Sequence, residues 1–188
     1  QKIKINLPFF NHLDFQTISK KIIFTKCLNC QLIFQSKLSS KFNNFFQKKD
    51  YSLSKQTDHK IFDINKKSTH RTTIQSKIIA NLFKQKKLDV LDVGCFDGKL
   101  LEELSNIFTI HKMYGYDVNK YLKKKFPKKK NFYFIEKNLT KIKTKFDLII
   151  FSHSLGYIEN LEQELKLYIN LLKKDGKIFI QIPNLERN

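Results

Sequence analysis

The sequence has little arginine, glycine and cysteine, and it has no tryptophan. Of its 36 basic residues only Arg71 and Arg187 are arginine, so the formal net charge of +19 comes almost entirely from lysine. Arginine is the side chain that binds phosphate groups and guanine through two parallel hydrogen bonds. Its scarcity disfavours nucleic acid as a partner. The chain is also rich in Ile, Asn and Phe, which is the composition of a genome biased toward A and T. We therefore interpret the lysines as a solvated surface that reflects this bias.

Long apolar runs are also missing. The two longest mostly apolar stretches, FDLIIF and KIFIQI, are six residues each and contain polar residues, whereas a membrane-spanning helix needs about 20 apolar residues. The opening QKIKINLPFF lacks the charged leader, apolar core and cleavage site of a signal peptide. We therefore predict a cytosolic protein with no membrane partner. The absence of an initiator methionine suggests a fragment or a processed piece.

Three cysteines are too few for a disulfide framework, and two of them form the segment CLNC, Cys27 to Cys30. A lone C-x-x-C pair is consistent with half of a zinc site, with a redox pair, or with chance. A redox pair is expected to precede a helix directly, but the strand-like QLIFQ follows, so a zinc knuckle fits better. Tetrahedral zinc needs two more ligands, for which His12 is the one upstream candidate, and a weak one.

Local patterns divide the chain into three parts. Residues 1–35 are predicted to form short strands around CLNC, and the polar residues 36–67 are interpreted as a connector. Residues 68–188 are predicted to form a third part, which opens with a helical pattern from Ser68. This pattern places five apolar residues on one helix face: Ile74, Ile78, Ile79, Leu82 and Phe83.

Strands and helices then alternate. Strands are predicted at Leu88–Gly94, Lys112–Val118, Phe132–Ile135, Phe146–Ser152 and Lys177–Pro183. Helices are predicted at Lys99–Phe108, near Asn119–Phe126, and at Leu161–Leu172. The first of these helices is expected to turn five residues inward: Leu100, Leu101, Leu104, Ile107 and Phe108. The alternation indicates an α/β fold with a doubly wound, mostly parallel sheet. Because the chain stops after the fifth strand, we expect the later strands to be missing.

The stretch VLDVGCFDGKLL, residues 90–101, is the strongest sign of ligand binding. It reads as a strand, a tight turn with Gly94 and Gly98, and a helix, which is how α/β domains present backbone N–H groups to a ligand. A dinucleotide site would show G-x-G-x-x-G, but Leu101 stands where the third glycine would be. The spacing argues against NAD and for a ligand without a pyrophosphate.

The second predicted strand ends in YGYDVN and so places an acidic residue, Asp117, at its carboxyl end. A carboxylate has two acceptor oxygens, so Asp117 can bind both ribose hydroxyls of an adenosine. The alternative interpretation is a turn residue at a strand end.

From about Ser68 to Asn184 the chain resembles the class I S-adenosylmethionine-dependent methyltransferases. The resemblance rests on five stretches in the proper order: VLDVGCFDG, YGYDVN, KNLTKI, FDLIIFSHSLGYIEN and LLKKDGKIFIQIPN. It implies a Rossmann-like methyltransferase fold, S-adenosyl-L-methionine as cofactor, and methyl transfer to a small-molecule acceptor.

Within the family, GCFDGKLL is most similar to the GxNDGxLL variant. Those enzymes often carry a cysteine-rich zinc-binding segment ahead of the methyltransferase domain, and some methylate sugar carbons. FTKCLNCQLIFQ resembles the second half of that segment. The resemblance thus implies a first cysteine pair upstream of Gln1, and zinc bound by Cys27 and Cys30 in the full-length protein.

The resemblance also implies roles for individual residues. The positions expected to contact the cofactor are Asp92, Gly94, Cys95, Gly98, Asp117, Asn138, Leu139 and Ser152. The glycines let the backbone approach the methionyl part, Asp92 lies beneath it, and Asp117 holds the ribose. Asn138 and Leu139 fall where the family contacts the adenine edge. His153 lies beside the sulfonium and is the candidate catalytic base, with shaping of the loop by hydrogen bonds as its alternative role.

Phe96 departs from the family, which usually has glycine or asparagine there. We expect its ring to point away from the cofactor, toward Phe45, Phe46 or the helix face bearing Phe83. The main alternative function is a degenerate methyltransferase-like module whose zinc knuckle contacts RNA. An NAD-dependent oxidoreductase is a second alternative, disfavoured by the missing glycines.

Overall fold

The structure is a computed structural model that describes residues 2–10, 17–26, 28, 33–35, 47–49, 60–62, 68–83, 87–136 and 139–182. The chain divides into two compact units, Gln1–Phe45 and Phe46–Asn188. Several residues singled out in the sequence lie outside the described residues: His12, Cys27, Cys30, Phe45, Phe46 and Asn138. The roles assigned to them stay predictions.

The first unit contains an antiparallel sheet with the strand order β1–β2–β3. Strand β1 spans Lys2–Phe10, β2 spans Thr17–Lys26 and β3 spans Ile33–Gln35. β1 and β2 are nine and ten residues long, which is longer than the short strands predicted. The alternation of lysine and isoleucine in KIKIN has the period of two that a paired strand requires.

The second unit is an α/β domain on a five-stranded parallel sheet. A short antiparallel pair, β4 (Lys60–Phe62) and β5 (Ser68–His70), precedes it. The sheet strands are β6 (Lys87–Val93), β7 (Thr109–Tyr116), β8 (Phe132–Ile135), β9 (Phe146–Ser152) and β10 (Leu172–Gln181). The helices are α1 (Arg71–Asn81), α2 (Lys99–Ile107) and α3 (Leu161–Asn170). Turns of 3-10 helix lie at Lys120–Lys124, Leu139–Lys141 and Leu155–Tyr157. The predicted α/β class is confirmed.

The strand order β10–β9–β6–β7–β8 indicates where a crevice for a ligand is expected. The chain enters the sheet at β6, moves outward through β7 and β8, and then crosses back to β9 and β10 on the other side. The direction of winding therefore reverses between β6 and β9. In open parallel sheets, ligands bind outside the carboxyl ends of the strands at this reversal.

Alternate residues of the central strands enter two different cores. On one face, side chains of α1 and α2 pack over Leu88, Val90, Leu148 and Ile150. On the other face, Tyr168 of α3 packs with Leu91, Val93, Ile149 and Phe151. Because both faces are covered, the central strands read as nearly continuous apolar runs. No helix within the described ranges combines the length and apolar character needed to cross a bilayer.

The prediction for the segment from Ser68 was wrong about where the helix begins, and it was right for only part of the helix face. Ser68–His70 is strand β5, and α1 begins only at Arg71. The predicted apolar face is only partly the buried face: Ile79 is fully buried and Phe83 packs against the core, whereas Ile78 and Leu82 are 48% and 46% exposed. The buried residues of α1 are mostly polar: Thr72, Gln75, Ser76 and Ile79. This side of α1 meets the polar carboxyl ends of β9 and β10 as well as α2, so apolar periodicity alone misorients the helix.

The boundary after α3 also differs from the prediction. Helix α3 ends at Asn170, and β10 begins at Leu172 with a register shift before Lys177. The intervening residues stay on the sheet because Lys173 reaches aspartates on β6 and β9. In α2, Ile107 is 43% exposed although its spacing predicted an inward side chain, because it occupies the last helical position, where the chain turns toward β7.

Candidate functional site

The turn between β6 and α2 folds against the end of β7. The backbone N–H groups of Gly94 and Cys95 both donate to the Tyr116 carbonyl, at 2.7 and 3.1 Å. Gly94 and Gly98 have φ angles of +76° and +80°, in the left-handed region that glycine adopts without steric cost. A Cβ on Gly94 would lie 2.5 Å from Cβ of Ser154. Glycine at this position therefore lets the loop after β9 close onto the turn.

Asp117 follows β7 and holds the turn through its carboxylate. Its Oδ2 accepts a hydrogen bond of 3.1 Å from the Phe96 N–H, and its Oδ1 accepts one of 2.9 Å from the Asn119 N–H. Burial raises the pKa of Asp117, and the two backbone hydrogen bonds partly counteract that effect. Each carboxylate oxygen has a further lone pair. The carboxylate can therefore still accept the two hydroxyls of a ribose.

Asp92 is the second-to-last residue of β6, two positions before Gly94, and it is 2% exposed. Burial is the main cause that raises its pKa to about 7, Asp117 and Asp97 raise the pKa further, and Arg71 lowers it. Its Oδ1 has no hydrogen-bond partner among the described residues. Buried polar atoms in folded proteins are nearly always satisfied. The Asp92 Oδ1 atom therefore keeps hydrogen-bonding capacity at the crevice, and the predicted contact of Asp92 with the cofactor stays a prediction.

Helix α1 brings a polar side to the same end of the sheet. Gln75 Nε2 donates to Ser152 Oγ at 2.8 Å and to Gln181 Oε1 at 2.6 Å. Gln75 Oε1 and Arg71 Nε are buried, and in the described part of the chain neither has a hydrogen-bond partner. Neither residue is among the site positions predicted from the sequence, because only the apolar residues of this helix stood out there. The signal that could have found them was their i, i+4 spacing, which places both polar side chains on one side of a helix.

The loop after β9 bends sharply at His153, whose φ is +58°. Its backbone N–H donates to the Gln181 carbonyl at 2.8 Å, and the next residue, Ser154, donates its hydroxyl to the Val93 carbonyl. The bend thus ties the ends of β10 and β6 together and places His153 at the crevice. The catalytic role of His153 stays a prediction.

The remaining predicted positions lie in the core around the turn. The Cys95 thiol is buried, and burial, followed by Asp92 and Asp117, raises its pKa, which favours the neutral thiol; its predicted contact with the cofactor stays a prediction. Leu139 is buried in the core that contains Val93, on the face of the sheet covered by α3.

Phe96, the departure from the family pattern, has φ +49°, which is rare for a large side chain. The Lys125 ammonium lies 5.8 Å from the centroid of its ring. Of the predicted neighbours of this ring, Phe45 and Phe46 lie outside the described residues.

The described residues contain no group of three or more His, Cys, Asp or Glu side chains placed to hold a metal ion. Because Cys27 and Cys30 are outside those residues, the zinc site stays a prediction.

The comparisons with known proteins agree with this geometry. Residues 67–187 match a family model described as a methyltransferase domain. The comparison with curated proteins found no match.

Several solved structures share the fold. A proposed S-adenosyl-L-methionine-dependent methyltransferase from Methanococcus maripaludis is 19% identical with a TM-score of 0.53, over 58% of this chain and 54% of that one. A chain in the complex of the Haloferax volcanii Trm112 methyltransferase activator with a proposed methyltransferase is 16% identical with a TM-score of 0.52, over 60% and 53%. The plantazolicin methyltransferase BpumL, with a pentazolic desmethylPZN analog and SAH, is 23% identical with a TM-score of 0.50, over 60% and 45%. The chain spans about half the length of these structures, and such identities show the fold alone.

Proposed function

Because the chain belongs to the methyltransferase-domain family, we propose that it transfers a methyl group from S-adenosyl-L-methionine to a small-molecule acceptor. S-adenosyl-L-methionine is the cofactor of this domain. The observation that carries the proposal is the buried carboxyl group of Asp92, whose Oδ1 has no hydrogen-bond partner among the described residues and whose pKa is raised by burial and by Asp117 nearby. Two buried acids suit a ligand that carries an ammonium group, a sulfonium and two ribose hydroxyls.

The cofactor supplies an activated methyl group, so the protein mainly has to hold and align the reactants. In the proposal, Asp117 holds the ribose hydroxyls and Asp92 faces the methionyl end. The turn at Gly94 and Gly98 lets the backbone approach that end closely. Asn138 and Leu139 are proposed for the adenine side of the pocket.

The acceptor is proposed to enter at the carboxyl end of β9, beside Ser152 and His153. Transfer to a carbon or a hydroxyl requires that a proton leaves the acceptor, and His153 is the proposed base. A sugar or a related metabolite is the proposed acceptor class. The support is the similarity of GCFDGKLL to the GxNDGxLL variant, some of whose members methylate sugar carbons.

Calorimetric titration of the full chain with S-adenosylhomocysteine, NADH and a short RNA tests the proposal. We expect saturable binding of S-adenosylhomocysteine alone. NADH binding would instead support an oxidoreductase. RNA binding without S-adenosylhomocysteine binding would support the degenerate module that the unusual Phe96 suggests.

A further inference from the structure

One of the two arginines in this lysine-rich chain lies at the crevice. Arg71 is the first residue of α1, and its Nε is buried without a hydrogen-bond partner in the part of the chain that the structure describes. Its charge acts on Asp92, whose pKa it lowers. Asp92 Oδ1 is likewise unpartnered among those residues. The crevice thus contains a guanidinium whose charge acts on a buried carboxyl group, and each of the two side chains has an unused hydrogen-bonding atom among the described residues.

We propose that Arg71 binds the α-carboxylate of the cofactor's methionyl group while Asp92 faces its α-ammonium. The inference rests on the proposed function, because it concerns the same cofactor. The methionyl end is a zwitterion, so a site with one cationic and one anionic side chain is complementary to it. A guanidinium can offer two parallel N–H donors to a carboxylate, whereas a lysine ammonium acts as a point charge.

The start of α1 supports an anion at this place. The first turn of a helix has backbone N–H groups without intrahelical partners, and the helix dipole favours negative charge there. In α1 the N-cap residue His70 makes no side-chain capping hydrogen bond, and the first turn contains no acidic residue. One turn further along, Gln75 is 1% exposed and its Oε1 is unpartnered within the described residues. This atom is a second acceptor for the ammonium group.

The competing explanation is structural: Arg71 would only reduce the cost of burying the Asp92 charge. A structural role would affect stability and the binding of every ligand of the crevice. A carboxylate-binding role would affect only ligands that carry the amino-acid group. The two ligands that separate these roles are S-adenosylhomocysteine and 5′-methylthioadenosine, which keeps the adenosine and the thioether but lacks the amino acid.

The experiment titrates both ligands into the wild-type full chain and into Arg71→Met, Arg71→Lys and Lys77→Met. Lys77 is an exposed cation on the same helix, so Lys77→Met removes an equal charge away from the site. We expect Arg71→Met to weaken S-adenosylhomocysteine binding about tenfold to a hundredfold and to change methylthioadenosine binding less than about twofold. Arg71→Lys should fall between wild type and Arg71→Met, and Lys77→Met should match wild type.

Equal weakening of both ligands, or no weakening of either, overturns the inference while leaving the proposed function intact. If the wild-type chain binds neither ligand, the proposed function itself fails. Should Arg71→Met not fold, Arg71→Lys provides the same two-ligand comparison, because it keeps the charge and changes only the donor geometry.

Discussion

Strand β6 has a buried aspartate near each end, and the two differ in whether their carboxylate oxygens have partners in the protein. At the amino end, Asp89 Oδ2 lies 2.8 Å from Lys173 Nζ, which also lies 2.7 Å from Asp147 Oδ2. Asp147 Oδ2 in turn accepts the Asp89 backbone N–H at 2.7 Å. At the carboxyl end, Asp92 is buried more deeply, at 2% exposed against 7% for Asp89, but its Oδ1 has no partner among the described residues. The same residue type, three positions apart, is satisfied at one end and left open at the other.

This difference in partners is the one expected between an aspartate that stabilises the fold and an aspartate that binds a ligand. A buried carboxylate that serves the fold is expected to be paired inside the protein, because an unpaired buried charge is costly. A buried carboxylate that serves a ligand must keep hydrogen-bonding capacity for it, and strongly shifted pKa values cluster at such sites. The paired aspartates at the amino end therefore fit a structural role, and the open Asp92 oxygen at the carboxyl end fits the proposed binding role.

The largest effect is expected for Asp92→Asn, which removes the ionisable group at the carboxyl end of β6 and so tests whether the two aspartates differ. Because the folded pKa, about 7, lies above the ordinary 3.8, the folded state favours the protonated acid. The stability associated with this proton is present below about pH 4 and is lost as the pH rises to 7. Without cofactor, the variant should be more stable than wild type at pH 8 by on the order of 2–4 kcal/mol. At pH 4 the two should unfold alike.

Urea unfolding at the two pH values measures the effect. Asp89→Asn is the control and should lack this gain at pH 8, since its carboxylate is paired. A pH-independent difference between Asp92→Asn and wild type would contradict the raised pKa.

Asp117→Ala tests the carboxyl end through ligand affinity. The change removes the acceptor for two ribose hydroxyls and for the Phe96 and Asn119 N–H groups. We expect S-adenosylhomocysteine binding to weaken by about 1–3 kcal/mol, as measured by calorimetry on a variant with an unchanged circular dichroism spectrum. Asp175→Ala, an exposed aspartate of β10, should leave the affinity unchanged. Undiminished affinity in Asp117→Ala would remove this residue from the site.

Asp89→Asn tests the amino end. It should lower the free energy of unfolding by about 1 kcal/mol, because Lys173 is 41% exposed and solvent screens the ion pair. The affinity for S-adenosylhomocysteine should not change, since the substitution lies at the opposite end of the sheet. A clear loss of affinity in this variant would mean that the two ends do not act separately.

The smallest effect is expected for Phe96→Asn. Asparagine tolerates a positive φ better than phenylalanine does, and that gain offsets the lost contact with Lys125. Stability and S-adenosylhomocysteine affinity should each stay within about 1 kcal/mol of wild type. Binding that becomes more than about tenfold tighter would show that the ring obstructs the pocket.

Much of the fold follows from local patterns. Strands bounded by turns and joined by helical segments predict a parallel sheet, because period and length are set within each segment. The glycines at 94 and 98 and the acid at 117 were likewise recognisable, since a strand–turn–helix order and a strand-end carboxylate are local features. The positive φ angles at both glycines show why those residues stand there.

Tertiary structure alone decided which buried polar groups are satisfied. Asp89 finds its partner 84 residues away in Lys173, through a register shift in β10 that no local pattern predicts. Arg71 and Gln75 reach the crevice because α1 also packs polar side chains against the ends of β9 and β10, which its apolar spacing does not predict. Side-chain type and period are properties of a segment, whereas the pairing of a buried charge depends on which distant segment packs against it.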